Sequence, residues 1–518
     1  MYRNQSLSIP WKWIMIGALA LGFGIRLWGI LVLKQGLSHD ESVSYLCAAA
    51  QGSAFEVGMP LLVDTDLIAA DIQRFYAKPD RLQFGIVSRD LVQDDIHPPL
   101  YFWILHIVYW SVGFDIRIGP LINLTLTLVL LILIFRLSKQ VLGGILPALA
   151  CCTIWFLSPA VVPIDLEARH YQLFGVLALT MLMVARRLWH GESNWRDLLV
   201  LSMVNALGLL SHYYYGFLLI PGALIMIKRF GISRPTYLYM GSLFLSLIIF
   251  LACFPEFVGF IPRYLAERAE IAGGPTDHLE RIKALVLVPL FFLSYWKWMQ
   301  FAVLASITVF LVRHWNATGR GAQIWQDFPP AIRDIVVHVI WYAVFSAGLY
   351  ATGVSPTQAV GNEYFSYLWP LLSLLVIWCA RTMLSVPVRS LLFAIYTAQL
   401  AISCGLTVQG SDYVSDLVPP DWTERMAKSD LLITNEARRG YLPRMVMTLP
   451  ADLPLRVSSN SGLQQAAAPA LDVVCTWMVV PKQGSAFPGF AQRMRAAGFR
   501  KEEQRLNGHL LSEFHRQR

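Results

Sequence analysis

Apolar and polar positions along the chain segregate in blocks the length of whole helices. Apolar runs near residues 12–33, 118–138, 142–162, 171–188, 197–212, 213–227, 237–258, 298–312, 335–353, 364–380 and 389–407 predict a polytopic helical membrane protein with about 11 spans, since a crossing helix needs about 20 apolar residues. The stretch 197–227 is short for two crossings. The basic residues decide in favour of two. Arg3 and Lys12 precede the first run, Arg136 and Lys139 follow the second, and Arg186, Arg187 and Arg196 follow the fourth. Lys228, Arg229 and Arg234 follow the sixth, Arg313, Arg320 and Arg333 the eighth, Arg381 and Arg389 the tenth. Every second loop is then basic, which predicts a cytoplasmic N-terminus and an outer C-terminal tail.

Two further apolar stretches break this alternation if read as spans. "HPPLYFWILHIVYW" (97–110) is short and aromatic, and "IKALVLVPLFFLSYWKWMQ" (282–300) leads straight into the eighth run. Both predict interfacial helices, the first opened by Pro98 and Pro99. A large outer segment, about 34–116, therefore lies between the first two spans. The expected organisation is a membrane domain over 1–407 and a small soluble α/β domain over 408–518. In the tail, "DLLITN", "LPLRVSS" and "VVCTWMVV" predict strands and "GFAQRMRAAGF" an amphipathic helix.

Composition agrees: 56% of the 518 residues are hydrophobic and only 15% charged, against about a quarter charged in soluble domains. The net charge of +8 resides largely in the basic loops, so it does not point to nucleic acid. The seven cysteines show neither metal-ligand spacing nor a disulfide framework. No Walker loop, GxSxG or helix-opening GxGxxG is present, so no nucleotide site is expected.

Candidate chemistry gathers on the outer side. In "GLSHDESVSYLCAAAQG" (36–52), Ser38 and Glu41 have capping-box spacing. That use accounts for Glu41 and leaves Asp40 free beside the membrane, where a carboxylate is a functional candidate by default. In "DDIHPPLY" (94–101), His97 stands near Asp94 and Asp95. A proton relay, a divalent ion held by carboxylates such as Asp40 and Asp95 with His97, and a plain polar turn all remain open. In "DLEARHYQLF" (165–174), Asp165, Glu167, Arg169, His170 and Tyr171 crowd one turn. Arg117, His212 with Tyr213, Arg263, Arg268 and Glu363 fall on the same side. A transporter or flippase would also place charges on its path. No pseudo-symmetric halves accompany them. An envelope scaffold would leave the clustered charges unused.

The order of these motifs is specific: "HDE" after the first span, "HPPLYF", an Arg opening the second span, "LSP" then "EARHYQLF", and "LSHYYYG". It resembles the bacterial relatives of the protein O-mannosyltransferases, including the aminoarabinose transferase of lipid A and the sugar transferases of rhizobial core lipopolysaccharide. These are C-type (GT-C) glycosyltransferases, and the likeness covers about residues 12–230. The resemblance implies a GT-C fold in the bacterial inner membrane with a periplasmic tail. It implies transfer of a sugar from a polyprenyl-phosphate donor to a hydroxyl of a glycolipid, lipopolysaccharide or protein acceptor, with inversion. By resemblance Asp40, with Glu41 and Glu167, supplies the catalytic carboxylates, directly or with a divalent metal ion. Arg117, Arg169, Arg263 and Arg268 are placed to hold the donor phosphate, and His97, Tyr101, Tyr171, His212 and Tyr213 the substrates. One departure stands out. Many relatives carry "RY" before a late span, where this chain has Glu363 and Tyr364, which implies either phosphate binding by Arg263, Arg268 or Lys297 or a different donor.

Overall fold

The computed structural model describes residues 9–94, 97–189, 194–262, 329–351, 366–410, 425–434, 437, 442–459, 475–481, 487–497, 499–506 and 509–516. Helix α1 (Ile9–Trp28) ends in a π-helical turn, Gly29–Leu33. The outer segment is built from α2 (His39–Ala48), α3 (Gly52–Leu62), strand β1 (Asp66–Ile68), α4 (Ala69–Gln73), α5 (Phe84–Asp94) and α6 (Leu100–Val112). Then come α7 (Ile118–Leu142), α8 (Ile145–Leu157), the short α9 (Val162–Leu166), α10 (Tyr171–Trp189), α11 (Trp195–Ser211), α12 (Tyr215–Phe230) and α13 (Arg234–Cys253). Beyond these are α14 (Pro330–Ala351), α15 (Leu368–Met383) and α16 (Val386–Gln409). The stretch 197–227 is thus two helices, broken at His212, whose backbone is extended (φ −159°, ψ 132°).

Among the described residues, five helices are long and apolar enough to cross a membrane: Pro10–Leu33, Ile118–Leu142, Tyr171–Trp189, Arg234–Cys253 and Val386–Gln409. Shorter apolar helices, Leu100–Val112, Ile145–Leu157 and Leu368–Thr382, accompany them. Large apolar side chains on α1, α13 and α16, such as Trp13, Phe244 and Leu391, point outward, as lipid-facing positions do. The expected span at 298–312 and the interfacial helix at 282–300 lie outside the described residues, as do Arg263, Arg268, Lys297 and Glu363.

Helix α1 packs on α8 and α16, α8 on α7 and α15, and α10 on α7 and α11. An intramembrane ion pair pins this bundle. Arg26 and Asp165 are both fully buried and bonded to each other. Arg26 also donates to the carbonyl of Phe156, and Thr127 and Gln172 donate to Asp165. Such a pair survives in low dielectric only when further hydrogen bonds complete both ions, and here α7, α8 and α10 supply them.

The tail contributes β2 (Leu431–Thr434), α17 (Leu442–Val446), β3 (Pro454–Val457), β4 (Cys475–Pro481), α18 (Phe487–Ala496), β5 (Phe499–Leu506) and β6 (His509–Arg516). Strands β2 to β4 fall on the three stretches read as strands. The sheet has the order β1-β3-β2-β4-β6-β5. Strands β3, β2 and β4 are parallel, and the remaining pairs antiparallel. Its edge strand β1 comes from the segment between α1 and α7, far earlier in the chain, Asp66 pairing with Arg456. Asp64, at φ 63°, fixes that junction: its amide donates to Val457 O at 2.7 Å and its carboxylate accepts from Ser459 N at 3.0 Å and Ser459 Oγ at 2.6 Å.

Candidate functional site

The site forms where the exit of α1, the start of α2, the N-terminal end of α7 and the turn 165–170 meet. Ser38 caps α2: its Oγ accepts the Glu41 N–H at 3.0 Å while Glu41 Oε2 accepts the Ser38 N–H at 2.9 Å. The spacing of the two residues foretold this box. Glu41 does more. It is fully buried, and Oε2 also accepts from Lys34 Nζ at 2.8 Å while Oε1 accepts the Ala168 N–H at 2.9 Å. One carboxylate thus ties the first span, α2 and the distant turn together.

The same capping serine reaches the turn. Ser38 Oγ donates to Glu167 Oε1 at 2.6 Å. Asp40, beside it, pairs with Arg169 at 2.8 Å and with His39 Nδ1 at 3.0 Å. Arg169 is almost wholly buried, whereas the Asp40 side chain is 44% exposed, so the pair spans from the interior to the open side. Arg169 also approaches Ser44 Oγ at 3.4 Å.

The turn's backbone is clamped from α7. Asn123 Nδ2 donates to the carbonyls of Ile164, Glu167 and Arg169. Gly119 lets the chains close: a Cβ there would lie 2.1 Å from Ala168 Cβ and 2.7 Å from its Cα. Tyr45 of α2 completes the junction, its Oη donating to Ile116 O at 3.0 Å and accepting from Gly119 N at 2.9 Å. Arg117 sits at the mouth of α7, exposed, and pairs with Asp115 at 2.9 Å.

The two carboxylates beside Arg169 titrate in opposite directions. Burial pushes Glu167 up, the neighbouring Asp40 adds to the rise, and Arg169 only partly offsets it, leaving a pKa of about 8. Burial would raise Asp40 as well, but Arg169 and then His39 overcome it and hold that carboxyl well below the usual carboxylate range.

A second group lies next to Arg169. The His170 ring is fully buried between His97, at a centroid distance of 4.5 Å, and His212, at 4.9 Å. Tyr171 lies 5.8 Å from His212. Burial, and then the neighbouring His97, hold His170 and His212 well below the ordinary imidazole range, so both are neutral at pH 7. Tyr101 is fully buried, with its Oη 3.5 Å from Gly119 O. Tyr213 packs against a tilted Phe257 ring at 5.4 Å and stacks on Phe260 at 5.7 Å.

Asp40, Glu41, Glu167 and Arg169 are therefore in one cluster, with Arg117 and Tyr101 at the adjoining end of α7 and His97, Tyr171 and His212 around His170. Asp95, Arg263 and Arg268 lie outside the described residues. Among the described residues no group of three or more His, Cys, Asp or Glu is placed to hold a metal ion. Of the expected donors, Asp40 is paired with Arg169, His97 lies against His170, and Asp95 falls outside the described residues. Sequence reasoning missed Arg26, Lys34 and Asn123. Two had a signal, since Arg26 and Asn123 are polar groups inside apolar spans.

Residues 96–255 match the family model of dolichyl-phosphate-mannose-protein mannosyltransferase. The chain superposes on the apo crystal structure of ArnT from Cupriavidus metallidurans with a TM-score of 0.54 at 12% identity, covering 98% of each chain. The fold is that of a C-type glycosyltransferase. The undecaprenyl phosphate-bound structure of the same ArnT gives a TM-score of 0.47 at 11% identity over 98% of each chain. The Archaeoglobus fulgidus oligosaccharyltransferase, in complex with Zn and sulfate, gives 0.45 at 10% identity over 95% of this chain and 72% of that one. No curated protein matches the sequence. The matched GT-C segment contains His97, Arg117, Glu167, Arg169 and His212 but begins after Asp40 and Glu41, which the fold brings to it.

Proposed function

We propose that this protein transfers a sugar from a polyprenyl-phosphate donor to an acceptor hydroxyl on the extracytoplasmic side of a membrane, the acceptor being a glycolipid, lipopolysaccharide or protein. One observation supports the reading: Asp40 of α2 meets Glu167 and Arg169 of the turn 165–170, two carboxylates and a guanidinium brought together from two distant segments into one cluster. The matched family's name describes transfer of mannose from a dolichyl phosphate, the same class of donor.

The acceptor oxygen attacks the anomeric carbon, the bond from that carbon to the phosphate oxygen breaks, and the lipid phosphate leaves with the bonding pair. A single displacement inverts the anomeric centre. The acceptor's proton passes to a carboxylate of the Asp40–Glu167 pair. Arg169, with Arg117 at the mouth and Arg263 and Arg268 from the segment beyond α13, stabilises charge growing on the phosphate. A phosphate that draws Arg169 also loosens its hold on Asp40. The depressed pKa of Asp40 then climbs toward the range of a useful base, which ties base activation to donor binding. The neutral imidazoles of His170 and His212 and the hydroxyls of Tyr101, Tyr171 and Tyr213, with His97, suit contacts to sugar hydroxyls.

The test is mass spectrometry of envelope glycolipids and glycoproteins from a deletion strain complemented with wild type, Asp40→Asn or Glu167→Gln. A sugar mass lost on deletion and restored by wild type alone is expected. Unchanged glycans together with carrier lipid accumulating on the inner leaflet would overturn the proposal in favour of a flippase.

A further inference from the structure

The tail meets the site at a peptide bond. Arg444, on α17, is 8% exposed and donates from Nε to the carbonyl of Leu37 at 2.7 Å. The N–H of that same peptide unit belongs to Ser38 and donates to Glu41 Oε2 at 2.9 Å. A peptide unit is planar, so holding its C=O and its N–H fixes the plane. That plane sets where the Ser38 Oγ points, 2.6 Å from Glu167 Oε1. Helix α17 is itself anchored, because Gln73 Nε2 donates to the carbonyls of Val446 and Leu449 at 2.9 Å each. A nearly buried guanidinium is a costly way to fill space. A charge-assisted bond to one carbonyl suits positioning instead.

We propose that Arg444 is a positioning residue, through which the seating of the C-terminal sheet on the membrane helices sets the Ser38–Glu167 hydrogen bond. Its consequence for sugar transfer rests on the function proposed above; the clamp itself does not. The Ser38 hydroxyl donates to the charged form of Glu167, so losing it raises the carboxyl pKa further. Asp40, Glu41 and Tyr101 face Glu167 as well, with Arg169 as the nearby cation, and none of them is replaced in this substitution.

The experiment uses the full chain in lipid nanodiscs without substrate. Infrared titration of the Glu167 carboxyl, assigned with Glu167→Gln, is compared in wild type, Arg444→Ala, Arg444→Lys and Ser38→Ala. The Arg444→Ala midpoint is expected to move up by about one pH unit, in the direction of Ser38→Ala, with Arg444→Lys in between. Hydrogen exchange is expected to quicken at the Glu41 amide, which Ser38 Oγ holds, and not across the bundle. An unshifted midpoint, or faster exchange spread evenly over tail and helices, overturns the proposal. Should Arg444→Ala not fold, Arg444→Gln, a shorter neutral donor, carries the same two readings. Neither readout requires glycosyl transfer, so failure of the clamp and failure of the proposed function are distinguishable.

Discussion

Replacing Glu167 by Gln should stabilise the protein at alkaline pH while reducing its activity. In the fold the Glu167 pKa rises from 4.5 to about 8, a shift of about 3.5 units. At about 1.36 kcal/mol per unit this is on the order of 5 kcal/mol, an upper figure because Asp40 and Glu167 titrate together. The folded state binds the proton more tightly than the unfolded chain, so stability is lost as pH rises. Below about pH 4.5 both states are protonated and nothing is lost; the penalty grows through the interval and is complete above about pH 8. Glutamine is neutral, and its carbonyl can still accept from Ser38 Oγ. Thermal unfolding of both proteins in nanodiscs between pH 5 and 9 measures the difference. The curves should nearly coincide at pH 5, with wild type falling below the variant as pH rises and the gap widest near pH 9. Parallel curves, or a variant less stable than wild type at pH 9, would refute the assignment of Glu167 as a buried acid held protonated by its surroundings.

Two further outcomes follow from packing and buried charge. Gly119→Ala forces a methyl group to 2.1 Å from Ala168 Cβ; overpacking typically costs about 1–3 kcal/mol, and because it displaces the turn bearing Glu167 and Arg169, transfer should drop well beyond the loss in melting temperature, whereas Gly17→Ala, with nothing within 4 Å, should leave both intact. Removing either Arg26 or Asp165 alone strands a buried charge and should cost about 3–5 kcal/mol in unfolding measurements, while the joint replacement Arg26→Met with Asp165→Leu should recover most of that; equal losses in single and double variants would show that the pair's charges are not what holds the helices.

What the sequence revealed was local, and what it withheld was long-range. The Ser38–Glu41 box follows from spacing within one helical turn, and the break between α11 and α12 from the interrupted hydropathy and the basic loops. The motif order brought Asp40 and the turn 165–170 into view. The bond from Ser38 to Glu167 joins residues 129 apart, and Arg26 meets Asp165 across 139; no periodicity encodes such pairings. Strand β1 is three residues long, Asp66–Ile68, too short for an alternation to register, and becomes a strand only because β3 offers it an edge. Strand β5, "FRKEEQRL", is so polar that its pairing partner, not its pattern, makes it a strand.

A charge count explains why the three acids behave differently. Asp40, Glu41 and Glu167 lie together, and among the described residues the permanent cations paired with them are Lys34 with Glu41 and Arg169 with Asp40, His39 adding a third beside Asp40 only when protonated. Two cations cannot neutralise three buried or half-buried carboxylates, and like charges this close cannot all ionise cheaply. The proton therefore goes to Glu167, whose neutral form burial and the neighbouring Asp40 favour. Glu41, held on both oxygens by Lys34, Ser38 and Ala168, has no lone pair directed at a substrate and serves to build the junction. Asp40 faces the open side already charged. In the proposed reaction a donor phosphate arriving at Arg169 changes this count, since it adds negative charge and competes for the cation. The pocket can then meet the new charge by retaining the Glu167 proton and letting Asp40 take the one released by the acceptor. Chemical competence thus depends less on any single residue's intrinsic acidity than on a site with one cation too few.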